Sequence, residues 1–442
     1  MKLDRRWFLK LSGMATLSGG CRPAWGSPPP AAAPSPVLVI LEMLGGNDGL
    51  NTVIPYSEAT YYDQRPTVAV AEDEVRPLDD RLGLHPGLVA WEPLWSGSEM
   101  AVVLGVGYPD PDLSHFRSTD IWRGGSTAPV IATGWLGRYL ETLYPDYPDV
   151  RPEAPLAIEV KSADTLLLRG QNQGMGMAVN DPEALYQLTS GWLTVHQTPA
   201  PAGRAGDELV FVRSLAETSS VYAEKIYSAF TAAVNAVSYP ATPLATELSM
   251  VARLIAGGLA TPVYSVLLSG FDTHVEQSQV HPGLLRTVAG AVAAFLADLD
   301  ALGIADQVVL MTMSEFGRRV RDNGSGTDHG TAAPLFLFGR NVRGGFCGAQ
   351  PDLRDLDDAG NMIHVVDFRQ VYASVLQQWF GATPALAAEI LAGDFPPLPL
   401  FVTTGKKNSG APTRMPPMRR QPTSRREPAD GLELITRRHR VP

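Results

Sequence analysis

The segment Gln307–Arg319 reads QVVLMTMSEFGRR and joins an apolar run to a charged loop. The seven residues QVVLMTM predict a buried strand, because short continuous apolar runs are typical of the core strands of a sheet. Ligands bind beyond the carboxyl ends of parallel strands in open α/β sheets, so we expect a site directly after this run. Carboxylates beside an imidazole suit a divalent metal, and arginines suit an anion. The residues of these types that follow the strand are Glu315, Arg318, Arg319, Asp328 and His329.

Composition and charge narrow the class of protein. The chain has 442 residues, of which 45% are apolar and 19% are charged, which is an ordinary globular composition. Two cysteines exclude a disulfide framework in a chain of this length. The net charge is −10, but residues 1–26 carry +4 and residues 403–442 carry +7, which leaves −21 for residues 27–402. A body this acidic disfavours nucleic acid as a partner and tolerates bound cations.

The N-terminus resembles an export signal. The sequence DRRWFLK at Asp4–Lys10 precedes a modestly apolar stretch, as in twin-arginine signal peptides. We therefore predict a signal peptide over residues 1–26, the twin-arginine export machinery as a partner, and a periplasmic or otherwise extracytoplasmic location. The apolar stretch is too short to span a bilayer, so no stable transmembrane segment is expected there. Lipidation at Cys21 is left open.

The rest of the chain divides into three parts. Residues 27–36 are rich in Pro and Ala and predict a linker, residues 37–402 form one α/β domain, and residues 403–442 are a basic disordered tail. Apolar runs and helical periodicity alternate through the domain, which indicates a largely parallel central sheet with helices on both faces. The predicted strands are Val37–Leu41, Glu99–Val106, Leu156–Val160, Thr165–Leu168, Val263–Leu268, Gln307–Met313 and Pro334–Phe338. The predicted helices are Asp207 to about Val237, Leu244–Ala256, His281–Leu302, Asp367–Trp379 and Ala385–Leu391.

Four of the predicted strands end in loops that carry polar groups. These groups are Asp48, Ser114 with His115, Asp272 with His274, and the stretch from Glu315 to His329. Because the carboxyl ends of parallel strands meet at one edge, the four loops could form a one- or two-metal site in which a serine acts as nucleophile. Each loop also fits a simpler role: a turn, a helix cap, or an arginine paired with a nearby acid.

Five motifs in order resemble one bacterial family. They are GGNDGLN at 45–51, SHF at 114–116, GFDTH at 270–274, SEFGR at 314–318 and GTDHGT at 326–331. They are similar to motifs of the "domain of unknown function 1501" family, which is placed near the alkaline phosphatase and sulfatase superfamily. The resemblance runs from about Val37 to Pro396. It implies an alkaline phosphatase-like α/β/α sandwich with a metal site at the edge of the sheet.

The resemblance also implies roles for single residues. The implied metal ligands are Asp48, Asp272, His274, Glu315, Asp328 and His329, and the metal is zinc, calcium or magnesium. It leaves open whether Glu315 or Asp328 contacts the metal. Ser114 is the implied nucleophile, and Arg318 or Arg319 would hold the anionic group of the substrate.

We therefore expect an exported metal-dependent hydrolase of phosphate or sulfate esters, acting on a small anionic or glycan ester. The alternative is a non-catalytic envelope protein with a degenerate hydrolase fold, which binds an anionic glycan or a partner protein. Motifs of other chemistries are absent from the sequence, including the Gly-x-Ser-x-Gly elbow, the Walker phosphate loop, His-Glu-x-x-His and Cys-x-x-Cys.

Overall fold

A computed structural model describes residues 35–160, 165–171, 173–190 and 203–402. The expected signal peptide, most of the linker and the C-terminal tail lie outside the described residues. The predictions for those segments therefore stay predictions.

The described strands are short and frequent, as in an α/β domain. They are β1 Val37–Leu44, β2 Val53–Ile54, β3 Arg76–Pro77, β4 Gly83–Leu84, β5 Met100–Gly107, β6 Ala157–Glu159, β7 Met177–Ala178, β8 Val263–Ser269, β9 Val308–Met313, β10 Arg318–Asp322, β11 Thr327–His329, β12 Ala333–Phe338, β13 Gly345–Gly348 and β14 Val366–Asp367.

The α-helices follow the main strands. They are α1 Ala59–Gln64, α2 Glu92–Ser96, α3 His115–Gly124, α4 Trp135–Leu143, α5 Pro182–Thr189, α6 Arg204–Ala232, α7 Pro243–Ala256, α8 Gln277–Ala301, α9 Phe368–Ser374 and α10 Pro384–Ile390. A π-helical turn at Val375–Trp379 continues α9. The helices and strands predicted from apolar patterns are found close to their predicted positions, with one exception described below.

The central sheet is mixed and mostly parallel. Its strand order is β13-β5-β12-β9-β1-β8-β6-β7, with β14 beside β5. Strand β1 runs parallel to both β8 and β9, whereas β12 is antiparallel to both β5 and β9. Because two reversals cancel, β5 runs in the same direction as β1, β8 and β9. The carboxyl ends of these four strands therefore lie at one edge of the sheet.

Helices cover both faces of this sheet. Every residue of β5 and β9 is buried, as expected for strands without a solvent face. Along β1, Val39 packs in one hydrophobic cluster with residues of α7 and α8, and Leu38 packs in the other with residues of α3, α4 and α9. The predicted fold class, α/β with a helix layer on each side, is confirmed.

Two local predictions differ from the structure. The expected strand Thr165–Leu168 is instead a 3₁₀-helix, Leu166–Leu168, because an apolar run of three residues is too short to distinguish a strand from a helical turn. The expected loop after Arg318 contains the antiparallel hairpin β10–β11, in which Arg318 pairs with His329.

Helix α8 alone among the described residues is long and apolar enough to cross a membrane by length and composition. It packs in the same hydrophobic cluster as α7, with Leu285, Val292 and Phe295 fully buried. Its place in this cluster accounts for its apolar composition.

Candidate metal centre

A cluster of polar side chains lies where β5, β8 and β9 end. The chain leaving β8 carries Asp272 and His274, and the chain leaving β9 carries Glu315. The chain leaving β5 continues to His115, the first residue of α3, and β11 supplies His329 from the hairpin. The sheet thus gathers residues that are 200 positions apart in sequence.

The three histidines of this cluster each direct Nδ1 at an oxygen. For His115, His274 and His329 in turn, the acceptors are Glu315 Oε1 at 2.8 Å, Asp328 Oδ1 at 3.0 Å and the Leu113 carbonyl at 2.8 Å. A carbonyl or an ionised carboxylate only accepts a hydrogen bond, so Nδ1 must donate in each case. In a neutral imidazole the proton on Nδ1 leaves a lone pair on Nε2, which is the arrangement of a metal-ligating histidine.

The Nε2 atoms of the three rings lie near the Asp272 carboxylate. His274 Nε2 is 2.9 Å from His329 Nε2 and 3.1 Å from Asp272 Oδ1. His329 Nε2 is 3.3 Å from Asp272 Oδ1, and His115 Nε2 is 3.5 Å from Asp272 Oδ2. Ligands about 2.0–2.1 Å from a tetrahedral zinc ion are about 3.3–3.4 Å apart, so these spacings suit one metal ion.

Three further observations fit a cation at this point. His115 Nε2 is buried and has no hydrogen-bond partner, which is costly for a polar atom unless something else satisfies it. Two imidazole lone pairs 2.9 Å apart repel unless a proton or a cation lies between them. Burial lowers the pKa of His329, which favours the neutral form that binds metals. Three imidazole nitrogens and one carboxylate oxygen form a donor set suited to a first-row transition metal.

Arg318 holds the Asp272 carboxylate in place. The arginine is buried, and its Nη2 donates to Asp272 Oδ1 at 2.7 Å. Its other donors bond the carbonyls of Gly46 and Thr327, each at 2.7 Å, so one side chain connects the loops after β1 and β8 to the hairpin. Although partial burial alone would raise the pKa of Asp272, the bond and charge of Arg318 lower it to about 2. The carboxylate is therefore ionised at neutral pH.

Glu315 accepts the hydrogen bond of His115 Nδ1 on the buried side of the cluster. It is 1% exposed, and its Oε1 also accepts the backbone N–H of Gly45 at 2.8 Å. Gly45 has φ +117°, and a Cβ there would lie 2.3 Å from the backbone nitrogen of Asp272. Only glycine therefore permits this approach of the β1 loop to the β8 loop.

The structure brings together most of the residues expected from sequence. Asp272, His274 and His329 contribute atoms to the point where the Nε2 atoms meet the Asp272 carboxylate, and Glu315 and Asp328 bond the Nδ1 atoms of His115 and His274. Glu315 and Asp328 each accept a hydrogen bond from an imidazole Nδ1, and which of them contacts a metal stays an open prediction. His115 takes the remaining place. Sequence reasoning noted it beside Ser114 but did not assign it, although its place after a strand was a usable signal.

Asp48 is not brought into the cluster. It is fully buried and forms an ion pair with Arg65, whose Nη1 lies 2.6 Å from Oδ2. Gln277 donates to the same oxygen, and two backbone N–H groups contact the other. Burial raises the pKa of Asp48, but the charge and bond of Arg65 outweigh this and lower it overall. Both oxygens of Asp48 therefore have internal partners, and the expectation that Asp48 binds a metal stays a prediction.

The remaining predicted residues lie at or below the rim. Ser114 is exposed, directly precedes His115, and makes no side-chain capping bond to α3. Arg319 is half-buried, and its Nε lies 3.4 Å from the carbonyl of His329. Arg318 is enclosed, and its donors bond protein groups. It therefore positions Asp272, whereas the sequence predicts that Arg318 or Arg319 holds the anionic group of the substrate.

Comparison with solved structures finds similar folds at low sequence identity. A protein in the alkaline phosphatase superfamily from Vibrio parahaemolyticus has a TM-score of 0.37 and 8% identity, covering 79% of this chain and 67% of that one. The lipoteichoic acid synthase LtaP from Listeria monocytogenes gives 0.34 and 8%, covering 82% and 77%. The PsFucS1 sulfatase from Pseudoalteromonas sp. gives 0.32 and 9%, covering 82% and 73%.

Comparison by sequence gives a family. No curated protein matches this chain. The family model described as "Protein of unknown function (DUF1501)" matches residues 84–383, which is more than half of the 442 residues. The chain belongs to this family, as its five motifs predict.

Proposed function

We propose that this protein is a metal-dependent hydrolase of phosphate or sulfate esters. One divalent metal would be held by His115, Asp272, His274 and His329. The observation that carries the proposal is the group His115, Asp272 and His329, whose ligand atoms lie within 4.8 Å of one another. His274 Nε2 adjoins this group, 2.9 Å from His329 Nε2 and 3.1 Å from Asp272 Oδ1, and each of the three rings has an acceptor at Nδ1. Of zinc, calcium and magnesium, only zinc commonly takes imidazole nitrogens, so we propose zinc.

A bound divalent metal supplies a Lewis acid that polarises an ester and lowers the pKa of a hydroxyl or a water. Around it the chain holds the reacting groups in place. Ser114 offers an exposed hydroxyl next to His115 and is the proposed nucleophile. Arg319 is the proposed contact for the anionic group of the substrate, because the described residues leave its terminal nitrogens without a hydrogen bond. Arg318 keeps Asp272 ionised and correctly oriented.

The site is open enough for a substrate to reach it. The side chains of Asp272 and His274 are 48% and 39% exposed, whereas Glu315 beneath them is 1% exposed. A small anionic or glycan ester would approach from the exposed side. We also propose export of the folded protein through the twin-arginine pathway to the periplasm or another extracytoplasmic compartment. The motif at Asp4–Lys10 supports that proposal.

The test begins with metal analysis of the purified protein, followed by a screen of phosphate and sulfate esters. We expect about one zinc per chain, lost together with activity in Asp272→Asn and retained in the matched control Asp394→Asn, which changes an exposed acid outside the cluster. Ser114→Ala should abolish turnover while retaining metal. Ester hydrolysis by an Asp272→Asn protein that holds no metal would refute the proposal.

A second function is favoured by one observation. Asp48 and Arg318, which the family resemblance assigned to metal and anion, are both enclosed in internal ion pairs. This arrangement favours the alternative of a non-catalytic envelope protein that binds an anionic glycan or a partner protein through the metal centre. Metal-loaded protein that binds a sulfated glycan and turns over none of the esters would support the alternative.

A further inference from the structure

A cavity of about 360 Å³ lies beside α8, and none of the proposed metal ligands lines it. Its walls come from the start of α8, from the segment between residues 68 and 87, and from Asn51. The residues that matter here are His85 and His281 on the wall, the apolar Val68 and Pro282, and the charged Glu74 and Arg286. Small-molecule sites typically have volumes of about 300–1,000 Å³ with a few convergent polar groups.

His85 presents a hydrogen-bond donor. Its ring is 4% exposed, and Nδ1 accepts the backbone N–H of Gly87 at 2.8 Å. Since Nδ1 is an acceptor, the proton of the neutral ring is on Nε2. The described residues provide no partner for that Nε2–H, and the ring lines the cavity.

His281 presents an acceptor. Its Nε2 lies 2.9 Å from Asn47 Oδ1, and the orientation of that amide is fixed because its Nδ2 donates to Thr52 Oγ1 at 2.9 Å. Nε2 therefore donates, and Nδ1 keeps a lone pair for which the described residues give no partner. The rings of His85 and His281 meet edge to face with centroids 6.0 Å apart, so the two rings are neighbours on the cavity wall.

The two histidines on the cavity wall are uncharged, and the two charged residues that line the cavity have opposite signs. Burial lowers the pKa of His85 to about 3 and that of His281 to about 4, so both rings are neutral at physiological pH. Glu74 and Arg286, which also line the cavity, are exposed and carry opposite charges. A charged ligand would find no buried counter-ion on this wall, which makes its desolvation costly.

We infer that this cavity binds an uncharged polyhydroxylated molecule the size of one sugar residue. A hydroxyl group both donates and accepts, so neighbouring hydroxyls can satisfy the donor of His85 and the acceptor of His281 together. The apolar surfaces of Val68 and Pro282 suit the C–H faces of such a ring. The inference does not rest on the metal centre.

The test measures binding of myo-inositol and D-glucose to the full-length protein by saturation-transfer NMR, with myo-inositol 1-phosphate as the charged comparison. Ser278→Phe places a large ring at the rim of the cavity, and Gln279→Phe is the matched control on the next, exposed residue, which does not line it. His85→Phe keeps a ring of similar size and removes the donor, together with the Nδ1 that accepts the Gly87 N–H. Thermal unfolding of each variant shows whether it is folded.

We expect saturable binding of an uncharged probe in the millimolar range, weakened at least about tenfold in Ser278→Phe and His85→Phe and unchanged in Gln279→Phe. If His85→Phe does not fold, the comparison of Ser278→Phe with Gln279→Phe decides alone. Three results would overturn the inference: no saturation by either uncharged probe up to about 100 mM, tighter binding of the phosphate, or equal affinity in the two Phe variants on α8.

Discussion

Replacing Glu315 by Gln tests the proposed metal centre at the most buried residue that bonds one of its histidines. The carboxylate accepts hydrogen bonds from His115 Nδ1 and Gly45 N–H, both at 2.8 Å, and it is 1% exposed. Glutamine has nearly the same shape and can keep both bonds through its carbonyl oxygen. What it removes is the negative charge that raises the basicity of the imidazole.

The expected loss follows from the burial of this carboxylate. Removing the outer partner of a metal-ligating histidine typically weakens metal binding about 10- to 100-fold, or about 1.4–2.8 kcal/mol. Solvent does not screen a group buried to this degree, so we expect the upper part of that range. Asp328 accepts the corresponding hydrogen bond from His274 but is 54% exposed, so Asp328→Asn should weaken zinc binding less than about tenfold.

The assay is competition for zinc between the metal-free protein and a chromogenic chelator, with wild type, Glu315→Gln and Asp328→Asn measured side by side. Urea unfolding of the metal-free proteins serves as the control, because an unchanged midpoint assigns the loss to the metal site. A zinc affinity of Glu315→Gln within about twofold of wild type, in a folded protein, would refute the proposed role of His115 as a ligand.

Three further outcomes are expected. Asp48→Asn leaves the buried Arg65 charge without its partner and should lower the free energy of unfolding by about 3–5 kcal/mol, measured by urea denaturation. The loss should be smaller in the double variant that also carries Arg65→Met. Equal losses in the single and double variants would contradict the pairing. Acidification below pH 6.5 should destabilise the fold, because burial lowers the pKa of His85 in the folded protein to about 3. The contribution of the neutral ring to the free energy of unfolding is complete above the unfolded pKa near 6.5 and disappears as the pH falls towards 3. His85→Phe should therefore show a shallower fall of the urea midpoint between pH 7 and pH 4, and an unchanged slope would count against this. Gly45→Ala should weaken zinc binding in the competition assay. Gly303→Ala is the control, because Gly303 has φ +72° and no atom lies within 4 Å of the new Cβ. The control should cost only backbone strain of about 1–3 kcal/mol and leave zinc binding intact.

Much of the fold is predictable because its strands are continuous apolar runs between turn residues. The buried strands β1, β5, β8 and β9 are each found within a few residues of their expected bounds. Their shared direction is what places the functional loops together, and that rule holds here even with an antiparallel strand in the sheet. The hairpin was not foreseen because the sequence of β10, RRVRD, has no apolar alternation to mark a strand.

The inner arrangement of the site depends on contacts that no local pattern encodes. Glu315 and His115 are 200 positions apart, and the 2.8 Å hydrogen bond between them engages His115 Nδ1 while His115 Nε2 lies 3.5 Å from Asp272 Oδ2. Asp48 belongs to a well-formed motif, yet its partner Arg65 directly follows a short helix that apolar periodicity did not indicate. Sequence therefore indicated which loops converge, and side-chain packing determines which of their residues face the common point.

The hairpin β10–β11 places two residues of the candidate metal centre opposite each other although they are not close in sequence. Arg318 and His329 face each other across its two strands, although 11 positions separate them along the chain. Beside Gly324 in the connecting turn, a Cβ would meet no atom within 4 Å. Residues inserted there would lengthen the interval in sequence and leave both ends of the hairpin where they are. Relatives that share this chemistry can therefore differ in that interval, and a search pattern that fixes it would overlook them.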